Sequence, residues 1–217
     1  MEIVAYLFES IDYTKVIIDS RDIWLISEKK MSHFGELVLL IGDIHIPQRA
    51  VDLPEKFKEL LVPGKVQHVV CTGNIGNREH TDWLKSLAPN VHIAQGDFDL
   101  GSNLPDQKTV TIGEWKIGLI HGHQIVPWGD KEALGNLQRE LECDILVHGH
   151  THQMNIETID GKYIVNPGSA TGAYTPTKSD VVPSFIIIAF QGKEVTVFIY
   201  ELVDGNVSVN KSQFSKA

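Results

Sequence analysis

Apolar runs that end in a glycine and a polar side chain constrain this chain more than any other feature. The first run, Leu37–Ile41, is rich in branched residues and indicates a buried strand. Gly42 lets the chain turn where that strand stops, and Asp43 and His45 follow it. Sites in open α/β sheets are built at such carboxyl ends of strands. One Asp-x-His pair remains a weak signal, because a turn aspartate beside a stray histidine has the same pattern.

Further strand ends along the chain repeat this arrangement. The polar residues at those ends are Asn74, Asp97, His121, and His150 with His152. Side chains at the ends of neighbouring strands converge in space without being close in sequence. Oxygen and imidazole ligands together suit Mn, Zn or Fe, and two-metal sites use such mixtures to hydrolyse phosphate esters. The sequence therefore predicts one shared metal site, with the ligands Asp43, His45, Asn74, Asp97, His121, His150 and His152.

Strand-like and helix-like runs alternate in the first half of the chain, and mostly antiparallel β runs follow. Helices are expected near residues 52–61, 77–88 and 131–141. Asp160-Gly161 and Asp204-Gly205 are hairpin turn signals. The economical solution is two sheets packed face to face with helices outside. The predicted fold class is α/β, a two-sheet αββα sandwich.

Residues 1–36 do not fit this pattern, so the predicted division is an N-terminal extension, 1–36, and a single domain, 37–217. An added β hairpin, a disordered arm and translated upstream sequence remain open as interpretations of the extension. Weak order is preferred, because termini that are not tied down fray. The extension also lacks the basic start of a signal peptide, since Glu2 follows Met1.

Composition excludes several classes of protein. The formal net charge of −9 argues against a protein that binds nucleic acid or a membrane surface. No apolar run is long enough to cross a bilayer, so direct membrane insertion is not expected. The two cysteines, Cys71 and Cys143, lie in apolar runs and are predicted to be buried free thiols. Free thiols suit a reducing cytosol.

The other histidines carry less weight. His123 and His148 adjoin predicted ligands and are candidates for supporting them from outside the metal. The remaining ones are more typical of surface or satisfied core groups: His33, His68, His80 and His92.

The order of these motifs resembles the calcineurin-like metallophosphoesterases. Within that family the chain is most similar to the non-catalytic members that form the small subunit of retromer, an endosomal protein-sorting coat. The matching stretches include 42–47, 60–65, 71–74, 96–99, 116–124, 127–130 and 166–174. The resemblance runs from about Leu37 to the C-terminal strands and leaves residues 1–36 uncovered.

Three positions depart from the active members of that family. Asn74 stands where a second aspartate bridges two metals, and a neutral amide is a poor bridge between cations. Asp97 and Phe98 stand where active members carry Asn and His. Phe98 has no proton to give to a leaving group, and general acid catalysis contributes about a hundred- to ten-thousand-fold. Asp99 is a weak substitute acid, because an ordinary aspartate is already ionised at neutral pH.

The resemblance implies a non-catalytic scaffold with a weak or optional divalent metal, Zn or Mn. It implies docking of the metal-site edge on the large α-solenoid subunit, vacuolar protein sorting-associated protein 35. By position, that edge contains Ile125, Val126, Pro127 and Trp128. An apolar loop beside a polar site is natural at an interface core. Inward packing of the loop stays open as the alternative, because large apolar groups are usually buried.

The resemblance also implies a second apolar patch on the far side, for regulators such as a TBC-type Rab GTPase-activating protein. The matching positions are Leu37, Leu61, Ile187, Phe198 and Tyr200. Continuous apolar strands are usually buried on both faces, so for Ile187 a core position and a patch position stay equally open. The implied location is cytoplasmic, peripheral on endosome membranes through the complex.

Two other functions remain as alternatives. One is a working Mn- or Zn-dependent phosphoesterase with low activity on small esters or diesters, which Asn74 and Phe98 disfavour. The other is a plain β-sandwich binding module without a metal, which the aspartates and histidines at the strand ends disfavour.

Overall fold

Short apolar strands and amphipathic helices alternate along the chain, as the sequence predicts. The structure, a computed structural model, describes residues 35–99 and 101–216. The elements, in chain order, are β1 (Glu36–Ile41), α1 (Glu55–Leu60), β2 (His68–Cys71), α2 (Arg78–Leu87), β3 (Asn90–Ile93), β4 (Gln107–Ile112), β5 (Trp115–Ile120), α3 (Lys131–Glu140), β6 (Ile145–Val147), β7 (Asn155–Ile159), β8 (Lys162–Asn166), β9 (Ser184–Gln191), β10 (Glu194–Val203) and β11 (Asn206–Ser215).

The strands form two mixed sheets. The six-stranded sheet has the order β11-β10-β9-β1-β2-β3, with β1, β2 and β3 parallel and β9 antiparallel to β1. The five-stranded sheet has the order β4-β5-β6-β8-β7, in which β5, β6 and β8 are parallel. In each sheet, parallel strands lie beside antiparallel hairpins. The carboxyl ends of β1, β2, β3, β5 and β6 supply the predicted ligands.

Alternation along β1 explains the layers. Val38 and Leu40 belong to the core between the two sheets, whereas Leu39 packs against the helices on the outer face. Phe57 of α1 and Leu84 of α2 are buried in that outer layer. On the other side, α3 packs against the five-stranded sheet in a third cluster. The predicted αββα sandwich is confirmed.

A capped helix anchors the apolar loop predicted to dock a partner. The Asp130 side chain accepts a hydrogen bond from the backbone N–H of Ala133 at 2.8 Å and caps α3. The loop 125–129 is therefore held between the end of β5 and a fixed helix start.

Three further sequence predictions concern the N-terminal extension, the two cysteines and membrane-spanning helices. Of the N-terminal extension, only residues 35 and 36 are among the described residues, and β1 starts at Glu36. The predicted domain boundary at residue 37 remains a prediction. Cys71 and Cys143 are buried and free, and burial raises the pKa of both thiols. Within the part of the chain that the structure describes, no helix has the length and apolar character needed to cross a bilayer.

Candidate metal centre

The seven predicted ligands meet at one edge of the sandwich. Two groups have donor atoms within 4.8 Å of one another: Asp43 with His45 and His152, and Asp97 with His121 and His150. Asn74 contacts both groups. The six-stranded sheet supplies Asp43, His45, Asn74 and Asp97, and the five-stranded sheet supplies the other three. The convergence expected from the strand ends is therefore present in the fold.

Left-handed backbone conformations aim these side chains. Five of the seven ligand positions have positive φ: Asp43, His45, Asn74, His150 and His152. Asn, Asp and His tolerate this region better than other residues with a Cβ, but it still costs free energy. Such strain persists where the surrounding structure determines it, and it collects at functional sites.

Two glycines explain why ligand and glycine stand together in the sequence. A Cβ on Gly149 would lie 2.7 Å from Asp43 Oδ2, and a Cβ on Gly96 would collide with Asn74 Oδ1. These positions need glycine for close approach rather than only for the turn.

In the first group, two imidazoles face each other beside a carboxylate. His45 Nε2 lies 3.2 Å from His152 Nε2, and His152 Nε2 lies 3.3 Å from Asp43 Oδ1. His152 Nδ1 donates to the carbonyl of Ala173 at 2.5 Å. This bond fixes the orientation of the ring, so His152 Nε2 faces the site.

The second group repeats the arrangement. His121 Nε2 lies 3.0 Å from Asp97 Oδ1 and 3.2 Å from His150 Nδ1. His121 Nδ1 donates to the carbonyl of Thr72 at 2.7 Å, which holds the ring with Nε2 facing inward. His150 Nε2 is buried and has no hydrogen-bond partner among the described residues.

Opposite charges set the protonation states of the ligands. Burial raises the pKa of the Asp43 carboxyl, but His121 and His152 outweigh it and hold that pKa below its ordinary value. Burial also raises the Asp97 pKa, and hydrogen bonds led by the one from His121 lower it below its ordinary value. Burial lowers the pKa of His45. Burial lowers the pKa of His121, but the Asp43 and Asp97 carboxylates outweigh burial and raise that pKa above its ordinary value. The two ionised carboxylates and the neutral His45 are in the states that metal binding requires, whereas His121 has to release a proton to a metal.

The donor set fits a pair of divalent cations. Each group offers one carboxylate oxygen and two imidazole nitrogens, and backbone carbonyls orient two of the rings. This chemistry suits Zn or Mn rather than Mg or Ca. A bound metal would supply Lewis-acid polarisation of a phosphoryl oxygen.

One supporting residue, Ser169, was missed by the sequence reasoning. Ser169 Oγ donates to the carbonyl of Asp43 at 2.7 Å and accepts from the backbone N–H of Ala173 at 2.9 Å. It therefore ties the loop after β1 to the segment whose carbonyl orients His152. The sequence signal for Ser169 is the run 166–174, which matches the family.

The two adjoining histidines differ in position. The His123 ring packs against the rings of His121 and His150, with centroids 5.4 and 6.2 Å apart. His148 is buried away from them beside Asn166, and burial lowers its pKa to about 4. Of these two histidines, only His123 contacts the rings of predicted ligands.

The predicted docking loop is divided between core and surface. Ile125 is 9% exposed and belongs to the cluster beneath α3, so inward packing holds for this residue. Val126 is 78% exposed and Trp128 is 49% exposed, and Pro127 between them is also exposed. The Trp128 ring lies edge-on to the His150 ring at 4.5 Å. The exposed part of the loop is therefore continuous with the metal centre.

The five residues of the predicted far patch are also divided. Leu37 and Ile187 are partly buried and lie on the adjacent strands β1 and β9. Leu37 pairs with Ala189, and Ile187 pairs with Leu39. Leu61, Phe198 and Tyr200 are buried in the outer core of the six-stranded sheet. Only Leu37 and Ile187 of this set offer appreciable surface in the isolated chain.

Comparison with known proteins agrees with this geometry. The model of the calcineurin-like phosphoesterase superfamily domain matches residues 37–193. The vacuolar protein sorting-associated protein 29 (Vps29) of Schizosaccharomyces pombe is 42% identical over 184 residues, which cover 83% of this chain and 98% of that protein.

Solved structures of Vps29 match equally well. Vps29 from Cryptosporidium parvum is 46% identical, with a TM-score of 0.82, over 84% of this chain and 100% of that one. Wild-type Vps29 from Entamoeba histolytica complexed with Zn²⁺ is 47% identical, with a TM-score of 0.78, over 82% and 98%. The resemblance drawn from the motifs is thereby confirmed. The chain belongs to the calcineurin-like phosphoesterase superfamily and, within it, to the Vps29 family.

Proposed function

We propose that this chain is a non-catalytic scaffold subunit of retromer in endosome-to-Golgi retrograde transport and endosomal recycling. It docks on the large α-solenoid subunit, vacuolar protein sorting-associated protein 35, through the edge around its metal centre. Similarity to Vps29 over most of the chain supports the complex. The observation that carries the docking edge is the exposed apolar loop at Val126 and Trp128.

The position of this loop favours an interface. Large exposed apolar side chains that lie together mark interaction sites more often than scattered single ones do. Phe98, which is 42% exposed, and Tyr174 extend the apolar edge on the other side of the centre. The Arg49 guanidinium lies over both rings, 4.5 Å from the Phe98 centroid and 5.4 Å from that of Tyr174. Aromatic residues and arginine are the groups enriched at interface cores.

The same contacts argue against efficient catalysis. Phe98 packs edge-on against His45, with ring centroids 5.2 Å apart, and it occupies the place of an acid without a proton to give. Both oxygens of the Asp99 carboxylate accept backbone N–H bonds. Both oxygens are therefore engaged by the backbone, so Asp99 is not placed to replace the missing acid.

Metal is optional in this function. The centre fits Zn or Mn, but docking through an apolar edge does not require a bound metal. The alternative, a low-activity phosphoesterase acting on small esters or diesters, has the intact donor set in its favour and Asn74 and Phe98 against it.

A second contact on the far side belongs to the proposal. Leu37 and Ile187 offer apolar surface to a regulator such as a TBC-type Rab GTPase-activating protein, above the buried Leu61, Phe198 and Tyr200. Membership of the complex supports a peripheral location on the cytoplasmic side of endosome membranes.

A binding titration tests the docking edge. The intact chain is titrated with the C-terminal half of the α-solenoid subunit, and Val126→Asp is compared with Val203→Asp. Both valines are exposed, but Val203 lies at the end of β10 beside a hairpin turn. We expect sub-micromolar binding that Val126→Asp abolishes and Val203→Asp leaves unchanged. Equal binding by both variants contradicts the docking edge.

A further inference from the structure

The Asn74 side chain lies between the two ligand groups, where a bridging ligand would stand. Its Nδ2 is 2.9 Å from Asp97 Oδ1 and 3.0 Å from His121 Nε2. The same nitrogen is 3.3 Å from His45 Nε2 and 3.5 Å from Asp43 Oδ1. One amide nitrogen therefore contacts both carboxylates and one imidazole from each group.

The backbone decides which end of the amide faces inward. The Phe98 N–H, which is always a donor, points at the other end of the Asn74 amide at 2.8 Å. The atom it meets must be an acceptor, so it is Oδ1, and Nδ2 faces the ligands. Gly96 is packed so closely against Oδ1 that a side chain there would collide with it. In the metal-free protein these surroundings favour the orientation with Nδ2 inward.

An inward amide nitrogen stabilises negative charge on the ligands by donating hydrogen bonds to them. It carries two N–H donors and no lone pair for coordination. His121 Nε2 faces this nitrogen, because its Nδ1 is bound to the Thr72 carbonyl. Asp97 and Asp43 present negative oxygens. Two carboxylates packed together repel each other, and N–H donors that reach both reduce that repulsion.

We propose that the Asn74 amide is a latch with two positions. With Nδ2 inward, it holds the ligands together in the metal-free protein. Zn or Mn loads only when the amide turns so that Oδ1 faces inward, which gives up the bond from the Phe98 N–H. This inference rests on the geometry of the centre and not on the docking proposed above.

Two matched variants test the latch. Asn74→Asp removes the inward donors and adds a third carboxylate. Asn166→Asp changes an equally buried asparagine at the same edge, whose Nδ2 donates to Thr151 Oγ1 and the Gly149 carbonyl. Thermal unfolding is measured in EDTA and in Zn, and Zn affinity is measured by calorimetry.

The latch predicts opposite effects of one substitution in the two conditions. In EDTA, Asn74→Asp should unfold at a lower temperature than the wild type. In Zn it should gain more stability than the wild type, with Zn affinity tighter by about tenfold or more, the scale on which single side chains around metal sites act. Asn166→Asp should lose stability in EDTA without gaining Zn affinity.

Other outcomes overturn it. They are an Asn74→Asp variant as stable in EDTA as the wild type, unchanged Zn affinity, and failure of that variant to bind Zn. A second readout uses the wild type alone and does not depend on a variant that folds. In EDTA, the side-chain NH₂ protons of Asn74 should exchange slowly with solvent, and their NMR signals should move on Zn saturation. Signals unmoved at saturating Zn contradict the turn of the amide.

Discussion

The Asp99 carboxylate accepts a hydrogen bond from the backbone N–H of Asn74 at 2.6 Å. It also accepts from the N–H groups of Gly96 and Ile75, both at 3.0 Å. A single carboxylate thus joins the loop after β2 to the loop after β3. Asp99 therefore has a structural role in holding Asn74 at its positive φ.

Loss of that carboxylate should lower stability. Asp99→Asn keeps the shape but turns an NH₂ group toward backbone N–H donors, which leaves buried donors unpaired. We expect the free energy of unfolding to fall by about 1–3 kcal/mol, measured by urea denaturation. Asp106→Asn, at an exposed position, is the control and should change little. Equal midpoints for the two variants would show that Asp99 does not hold the loops.

Two adjacent residues of the docking loop, Ile125 and Val126, should contribute very differently to the free energy of unfolding. Ile125 is buried beneath α3, so Ile125→Ala should cost about 2–5 kcal/mol of stability. Val126→Ala should stay within about 0.5 kcal/mol of the wild type, because Val126 contacts mainly solvent. Chemical denaturation measures both. A large loss for Val126→Ala would indicate that this side chain packs inward.

Restoring the missing groups should restore turnover. The double variant Asn74→Asp, Phe98→His supplies a bridging carboxylate and a proton donor beside His45. With Mn or Zn, we expect hydrolysis of a generic nitrophenyl phosphodiester to rise by about a hundred- to ten-thousand-fold over the wild type. Adding His150→Ala should abolish the gain. Hydrolysis by the wild type at enzyme-like rates would refute the non-catalytic reading.

Acid should destabilise the fold through His92. Burial lowers the pKa of His92, with further lowering by Lys108 and His68, and neither ring nitrogen has a partner among the described residues. The unfolded state, with an ordinary pKa of about 6.5, therefore binds the proton more readily than the folded state. Stability contributed by neutral His92 is present above that pH and falls as pH drops below it.

A substitution isolates this effect. His92→Gln should make the urea midpoint fall less between pH 7.5 and 5.5 than it does in the wild type, where these two pH values are roughly one unit either side of the unfolded pKa. Both proteins are kept in EDTA so that metal release does not contribute. Parallel pH profiles would assign the acid sensitivity to other groups.

Much of the centre was predictable because local sequence determines it. Gly42 and Gly149 mark strand ends, and the side chains that follow them enter the site without depending on distant loops. Helix bounds were equally local: the helix expected near 77–88 forms as Arg78–Leu87, where the Asn77 side chain caps the first turn. Membership of the family followed from the motifs for the same reason.

What escaped the sequence depends on contacts between distant residues. Phe198 and Tyr200 matched an exposed patch by position, yet Tyr200 stacks on Phe185 with ring centroids 4.6 Å apart and is buried. Ile125 and Val126 are adjacent apolar residues with opposite environments. Asp99 lies in the same motif as Asp97, and only the folded loops show that its oxygens are taken by backbone donors.

The pairing of β1 with β9 sets the timing of assembly during synthesis. Val38 in the middle of the six-stranded sheet pairs with Ile188, and the ribosome needs about 8 to 30 s to make the roughly 150 residues between them. For that interval one edge of β1 lacks its strand partner, while β2 is already available on the other. The nascent chain therefore carries an open, apolar strand edge at the centre of its future sheet, and this edge closes only when β9 emerges.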